Sequence, residues 1–271
     1  MSSVIIVTGS SRGIGREVAR LLLHAGHRVA INGRDAQRLH QTATALAGDA
    51  APSAARDSLL AVAADITTEE GAALLIRETL ARFGRIDGLI NNAGASMRGS
   101  IGDLRLTTIE QMYRGNLVAA VLPTVAALPA LLESGGSVAF VSTVGALWGF
   151  PGISLYSAAK AAVESFARAL DGEYRSSGLR VGVCFLGFVE NDADKVVVAA
   201  DGTPFRHSRK ARQTQVQAAR AIIRTLQSRR RRHISTCSGR VLAALVGICP
   251  ALVAAIFARS GGRVHRVSPG E

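Results

Sequence analysis

The alternation of short β-branched runs with longer amphipathic stretches is the feature that most restricts the folds open to this chain. Val4–Val7 is followed by Ile14–Ala25, Arg28–Ile31 by Ala36–Leu46, Leu59–Ala63 by Glu69–Phe83, and Gly88–Asn91 by Leu117–Leu132. The rhythm resumes with Val138–Val141, a helix from about Tyr156 to Tyr174, and Arg180–Phe185. Strands joined through helices pair in parallel, and the helices cover both faces of the resulting sheet. The expectation is an α/β fold, a doubly wound parallel sheet whose ligands bind beyond the carboxyl ends of its strands. At 271 residues, 48% of them hydrophobic, the chain suits one such domain with a short C-terminal elaboration.

Two stretches leave this rhythm. Gly48–Ser58, rich in Ala, Asp, Ser and Pro, reads as a surface insertion between the second helix and the third strand. Beyond Asn191 the chain is polar and basic to Arg232 and then strongly apolar.

Directly after the first strand stands Thr8-Gly9-Ser10-Ser11-Arg12-Gly13-Ile14-Gly15, opening a helix. Glycines let the backbone turn sharply and approach a pyrophosphate, whose charge is met by free N–H groups at the helix N-terminus. The spacing, Gly-x3-Gly-x-Gly, resembles the cofactor motif of the short-chain dehydrogenase/reductase family, and the resemblance runs from about Val4 to Asn191. It implies a Rossmann-type fold, with Gly9, Ser11, Arg12, Gly13, Ile14 and Gly15 at the cofactor. Asn91-Asn92-Ala93-Gly94 matches a second family motif, so Asn92, Ala93 and Gly94 are expected along the cofactor. Asp65, followed by Ile66, matches the acidic residue that contacts the adenine ring; the alternative is a solvated helix N-cap.

An acidic side chain at the end of the second strand would accept hydrogen bonds from a ribose 2′-OH and repel a 2′-phosphate. This chain has Asn32-Gly33-Arg34 there, with Gly33 where NAD-dependent relatives often carry Asp. Arg34, assisted by Arg12, would clamp a phosphate, so NADP(H) is favoured over NAD(H). Asp35 complicates this reading unless it starts the next helix.

Tyr156 and Lys160 lie one helical turn apart, on one face of their helix. The resemblance makes Tyr156 the acid/base on the carbonyl or alcohol oxygen. It gives Lys160 the tasks of lowering the tyrosine pKa and holding the nicotinamide ribose, and makes Asn116 the anchor of a water-mediated proton relay. A tyrosine ionises near pH 10, so acting as a base near neutrality takes roughly 4 kcal/mol of help, from an ammonium and from an oxidised nicotinamide. The family's substrate-binding serine stands thirteen residues before the tyrosine; Thr143 fills that position, with Ser142 as the second candidate. Threonine keeps the donor and acceptor, and its methyl group narrows the pocket. A further departure is Leu186-Gly187-Phe188-Val189-Glu190-Asn191, where relatives have Pro-Gly and then a threonine. Gly187, Val189 and Asn191 are expected to dock the nicotinamide, Asn191 replacing the threonine's hydrogen bonds.

Cys184, Cys237 and Cys249 fit neither a disulfide framework nor a zinc motif and are read as reduced thiols. His24 and His27, without further ligands, are read as a solvated helix face, and no metal is expected. Nothing preceding Val4 offers room for a secretion signal. A cytoplasmic protein is expected, with peripheral association at a membrane as the alternative.

The charge of +12 lies in the tail. Residues 1–200 carry 18 basic and 18 acidic side chains, whereas 201–271 carry 14 basic and two acidic, Asp201 and Glu271. Val241–Ala258 is an eighteen-residue apolar run between Arg240 and Arg259. As a straight helix it would reach about 27 Å, short of a hydrocarbon core near 30 Å, and Pro250 interrupts it. A lid or subunit contact is favoured, followed by an interfacial anchor on an anionic membrane.

The resulting division is 1–237 for the cofactor-binding and catalytic domain and 238–271 for this segment. The tail looks like those of family members acting on lipophilic ketones. Nucleic acid is not expected, because aromatic residues make up only 4% of the chain and no binding motif is present. An acidic carrier or a phosphorylated or CoA-linked substrate suits the charge better, and a homodimer or homotetramer is expected. The leading reading is reduction or oxidation of a bulky carbonyl/alcohol pair. The alternatives are imine or enone reduction on the same scaffold, or a non-catalytic NADP sensor.

Overall fold

The computed structural model describes residues 2–49, 57–206 and 211–260. Seven strands form one sheet: β1 (Val4–Val7), β2 (Arg28–Gly33), β3 (Leu59–Ala63), β4 (Gly88–Asn91), β6 (Ser137–Thr143), β7 (Arg180–Leu186) and β10 (Arg232–Ile234). Their order is β10-β7-β6-β4-β1-β2-β3, and every pairing is parallel. The order reverses between β1 and β4, so the turns leaving these two strands meet at the carboxyl edge of the sheet. That is where a doubly wound sheet holds its ligand.

Successive strand residues face opposite sides, and each side has its own core. Ile5, Val7, Val29, Ile31 and Ile90 pack against α1 (Gly13–His24), α2 (Ala36–Asp49) and α7 (Gln215–Gln227). Ile6, Ala30, Leu89, Val138 and Phe140 face α3 (Glu69–Phe83), α5 (Ala119–Ser134) and α6 (Ser154–Tyr174). The expected alternation is thus present, and the sheet is a Rossmann-type one.

Three elements differ from the sequence reading. The helix expected over Leu117–Leu132 is the end of a longer one: α4 (Leu106–Tyr113) leads through a π-helical turn, Arg114–Val118, into α5. Threonine, glutamate and glutamine along α4 conceal its apolar side, where Thr108 and Met112 are buried.

Among the described residues, the basic stretch after Asn191 forms two strands, a helix and a third strand. β8 (Val196–Ala199) pairs with β9 (Pro204–Arg206) and with β5 (Met97–Arg98), α7 follows, and β10 closes the sheet edge. A capping box of Thr214 and Gln217 starts α7, and half of its buried residues are alanine, which hides its period among arginines. In the expected insertion Gly48–Ser58, residues 50–56 lie outside the described residues.

The apolar tail folds into two helices, α8 (Cys237–Ile248) and α9 (Pro250–Ser260). They are bent by 118° at Cys249, so no straight spanning helix forms. Thr236 caps α8 by accepting the Gly239 N–H at 3.2 Å. Pro250 opens α9 in a first-turn position, where its missing N–H costs nothing.

Candidate active site

The turn from β1 into α1 is shaped by its glycines. Gly9 and Gly13 have φ near +60°, a region that suits glycine. A Cβ on Gly9 would come 2.7 Å from the Ala93 Cα, and one on Gly15 would come 2.5 Å from Asn92 Nδ2. No side chain caps the N-terminus of α1 and no acidic residue occupies its first turn, so its N–H groups are available to an anion.

Across the switch point, Thr8 and Asn92 tie the two turns together. Thr8 Oγ1 accepts the N–H groups of Asn92 and Ala93, each at 3.1 Å. Asn92 Nδ2 donates to the carbonyls of Thr8 and Gly9, each at 3.0 Å. The two motifs singled out by spacing are therefore one hydrogen-bonded unit.

The end of β2 is pinned by Asn32, which donates to the carbonyls of Val62 and Ala64, both at 3.1 Å. A Cβ on Gly33 would come 3.0 Å from the Ser11 side chain, so glycine keeps the first turn close to β2. Asp65 accepts the backbone N–H and hydroxyl of Thr67 at 3.0 and 2.8 Å. Partial burial pushes the Asp65 carboxyl up, but the Thr67 bonds and the charges of Arg34 and Arg114 outweigh it and hold the pKa below the usual range. Thr68, not Asp65, caps α3. Ile66 is buried in the core, which leaves its backbone as the part that can meet a cofactor.

Arg12 is not grouped with Arg34 in an ion pair. It faces Asp194 at 3.5 Å, and Asp194 also takes Arg38 at 2.9 Å. Desolvation raises the Asp194 pKa, and the charges of Arg12 and Arg38 with the Arg38 hydrogen bond together outweigh it and hold the carboxyl below its usual range. Arg16 lies 3.8 Å from Asp192, which also accepts Gln215 Nε2 at 2.8 Å. The segment after β7 thus folds over the glycine-rich turn through carboxylates. Sequence reading missed Arg38 and Asp194, which lie 156 positions apart; no local pattern joins them.

At the other end, β6 ends in Thr143 and α6 carries Tyr156 and Lys160. The Thr143 hydroxyl is hydrogen-bonded to the Tyr156 phenol and accepts the Gly145 N–H at 3.2 Å. Burial pushes the Tyr156 pKa up to about 12, with the Thr143 bond pulling partly back. Burial lowers the Lys160 pKa to about 8, and its Nζ donates to the Val141 carbonyl at 2.9 Å. Ser142, the second candidate, is buried and turned toward α6, where its hydroxyl donates to the Lys160 carbonyl at 3.2 Å. Its work is to fix the helix, and Thr143 is the hydroxyl facing Tyr156.

Asn116 sits fully buried in the π turn, a bulge of the kind often found at functional sites. Its Oδ1 accepts the Ala95 N–H at 3.2 Å, and its Nδ2 donates to the carbonyls of Ala95 and Met112 at 3.0 and 2.9 Å. Its side chain therefore clamps the loop after β4. A Cβ on Gly94 would come 2.8 Å from Asn116 Oδ1 and 3.2 Å from Lys160 Nζ, so Gly94 lies against both.

After β7 the expected nicotinamide contacts divide. Gly187 packs so closely on Thr236 that a Cβ would come within 2.7 Å of its methyl group. Val189 bridges to Gln213. Asn191 is exposed and accepts Lys195 Nζ at 2.8 Å. A cavity of about 190 Å³ lined by His27, Asp87 and Arg180 lies at the amino ends of the strands, away from this site. Among the described residues, no group of three or more His, Cys, Asp or Glu is placed to hold a metal ion.

The tail covers the loop between Thr143 and Tyr156. A Cβ on Gly239 would come 2.6 Å from a Val144 methyl, so α8 sits directly on the turn that follows Thr143. Phe257 of α9 stacks on Trp148, with ring centroids 6.3 Å apart, and packs on Phe150 at 5.0 Å.

The family profile of the short chain dehydrogenases matches residues 3–202. The chain belongs to the short-chain dehydrogenase/reductase family. It is 32% identical over 205 residues to dehydrogenase/reductase SDR family member 7B of Bos taurus, covering 75% of this chain and 63% of that protein. It is 32% identical over 196 residues to 3-oxoacyl-[acyl-carrier-protein] reductase of Homo sapiens, covering 72% of this chain and 79% of that one. In fold it matches a short-chain dehydrogenase of Streptomyces avermitilis, with a TM-score of 0.80 at 23% identity and coverage of 96% and 98%. The match spans less than two thirds of the bovine protein's length, and the family is one of oxidoreductases that use NAD(P)(H) on small carbonyl and alcohol substrates.

Proposed function

We propose that this protein is an NADP(H)-dependent reductase of a bulky, lipophilic ketone, with Tyr156 as the proton donor. The observation that carries the reading is the grouping of Thr143, Tyr156 and Lys160 beside Gly94, at the carboxyl edge of the sheet next to the glycine-rich turn. Thr143 is placed to donate to the substrate oxygen as negative charge develops on it. Tyr156, with its pKa near 12, stays protonated until the proton is needed, which suits the reductive direction. Lys160, charged below about pH 8, stabilises the phenolate left behind.

The cofactor supplies the hydride when bound. The open N-terminus of α1 would hold its pyrophosphate, Asp65 and the backbone at Ile66 its adenine end, and Asn92, Ala93 and Gly94 its length. The side chain of Asn116 serves by fixing that loop. Arg12, Arg34 and Arg38 support NADP(H): Gly33 leaves the last position of β2 without a carboxylate, Asp35 is turned to the start of α2, where it accepts the Arg38 N–H at 3.0 Å, and Asp194 is the carboxylate that a 2′-phosphate would displace. Trp148, Phe150 and Phe257 support an apolar substrate under α8 and α9, which act as a lid. The same scaffold would deliver hydride to an imine or an enone, and the substrate panel below separates these. A homo-oligomer remains part of the proposal.

The test is NADPH and NADH oxidation against a panel of ketones, imines, enones and keto-acyl thioesters, with wild type and Tyr156→Phe. The expected result is turnover of apolar ketones with NADPH, lost by at least a thousandfold in Tyr156→Phe, while the Kd for NADPH changes less than twofold. Unchanged turnover in Tyr156→Phe would overturn the mechanism, and NADPH binding without turnover of any panel member would favour the sensor.

A further inference from the structure

We infer that the α8–α9 hairpin is a docking surface for an anionic phospholipid bilayer. The inference does not depend on the reaction assigned to the site. From Val241 to Ala258 the hairpin contains no polar or charged side chain. Its inner side is fastened to the domain: Gly239 and Val253 are buried, and Phe257 packs on Trp148 and Phe150.

Among the described residues, nothing covers its outer side. Gly247, Ile248, Cys249, Pro250, Ala251 and Leu252 are exposed in one unbroken run at the bend. Val241 is 60% exposed, Ile248 84%, Leu252 47% and Ile256 49%. A contiguous apolar tip of this kind marks an interaction surface.

Charge identifies the occupant. No acidic residue occurs between positions 202 and 270, a stretch with 14 arginines and lysines. Arg240, exposed in the first turn of α8, precedes the apolar run, and Arg259, Arg263 and Arg266 follow it in sequence. Arg231 and Arg232 are neutralised by Asp171 and Glu164, at 2.7 and 3.1 Å, and so are not counted toward a partner.

An apolar patch flanked only by cations suits a hydrocarbon layer beneath anionic headgroups. A second copy of the same run would bring the same cationic flanking sequence with it and no carboxylate between 202 and 270 to pair it. At 12 and 11 residues the helices reach only about 18 and 16 Å, and their 118° bend keeps the hairpin shallow, as an inserted wedge rather than a span.

The experiment uses the full chain with vesicles of phosphatidylcholine alone or with 30% phosphatidylglycerol. Sedimentation is combined with an environment-sensitive dye on Cys249 in a Cys237→Ser background, since Cys184 is buried. Anionic vesicles should bind at least tenfold more tightly, with a blue shift of the dye, and binding should weaken as salt rises. Ile248→Asp and Leu252→Asp, both at exposed sites, should each reduce binding tenfold or more while leaving the melting temperature within 2 °C.

Equal sedimentation with both vesicle types, or binding unaffected by these substitutions, would overturn the proposal. A concentration-dependent dimer abolished by Ile248→Asp would also overturn it, by assigning the patch to a second copy. Vesicle binding is read without turnover, so its failure is distinct from failure of the proposed reductase activity.

Discussion

The Lys160 ammonium rests on the carbonyl of Val141, 2.9 Å away, within the layer between β6 and α6. That one bond does not compensate for the lost hydration, and burial lowers the Lys160 pKa to about 8. A lysine whose folded pKa lies below its unfolded value binds fewer protons when folded. Its share of stability therefore rises with pH between about 8 and about 10.4, the unfolded value, and is at its least below 8.

Replacing Lys160 by Met removes this penalty, roughly 3 kcal/mol, and forfeits about 1 kcal/mol for the Val141 carbonyl left without its donor. Lys160→Met should therefore be about 2 kcal/mol more stable than wild type at pH 7, and the gap should close by about pH 10. Thermal melts across that range check the difference, which should be accompanied by loss of turnover.

The same titration should appear in catalysis. Reduction should be level below about pH 8 and decline above it as Lys160 loses its charge, Tyr156 remaining protonated throughout. A pH profile of kcat/KM measures this; a decline centred near pH 6 instead would point to a different group.

Thr143 is the hydroxyl that meets Tyr156. Thr143→Ser keeps the donor and should retain activity within about fivefold while admitting bulkier ketones. Thr143→Val keeps the shape without the donor and should lower kcat by about 10²–10³. Steady-state kinetics on both variants separate hydrogen bonding from fit.

Asp194 competes with any phosphate for Arg12 and Arg38. Its ion pairs are half exposed and contribute about 1 kcal/mol or less to stability. Asp194→Asn should thus leave the melting temperature almost unchanged and tighten NADPH roughly fivefold, with little effect on NADH. Fluorescence titration of both cofactors gives the answer directly.

Asn116→Ala leaves three backbone groups, a buried one on Met112 and two part-buried ones on Ala95, without the partners they have now. At about 1 kcal/mol or more for each, the cost should be roughly 3 kcal/mol. Urea unfolding measures it.

The parallel sheet was legible because its strands are β-branched runs separated by amphipathic helices, a pattern that depends on near neighbours. Thr143, Tyr156 and Lys160 were legible through spacing, and Thr143 over Ser142 was decided by counting back from the tyrosine. The Asp194 cluster was not, because ion pairs between Arg12, Arg38 and Asp194 depend on how the segment after β7 returns over the sheet. Asn191 likewise turned to Lys195. The tail's apolar run was evident, but its fold depended on Phe257 finding Trp148 and Phe150, a contact across more than a hundred residues.

The π turn at Arg114–Val118 carries one residue more than an α-helix would use for the same turn. The wide turn absorbs that extra residue, so deleting one residue there would restore regular geometry and leave Ala120, Thr124, Ala127 and Leu131 on the buried side. What would be lost is the turn itself, and with it the place from which Asn116 reaches Ala95. A gap of one between 114 and 118 would therefore mark a chain that keeps the buried stripe of this helix and gives up the clamp on the loop after β4.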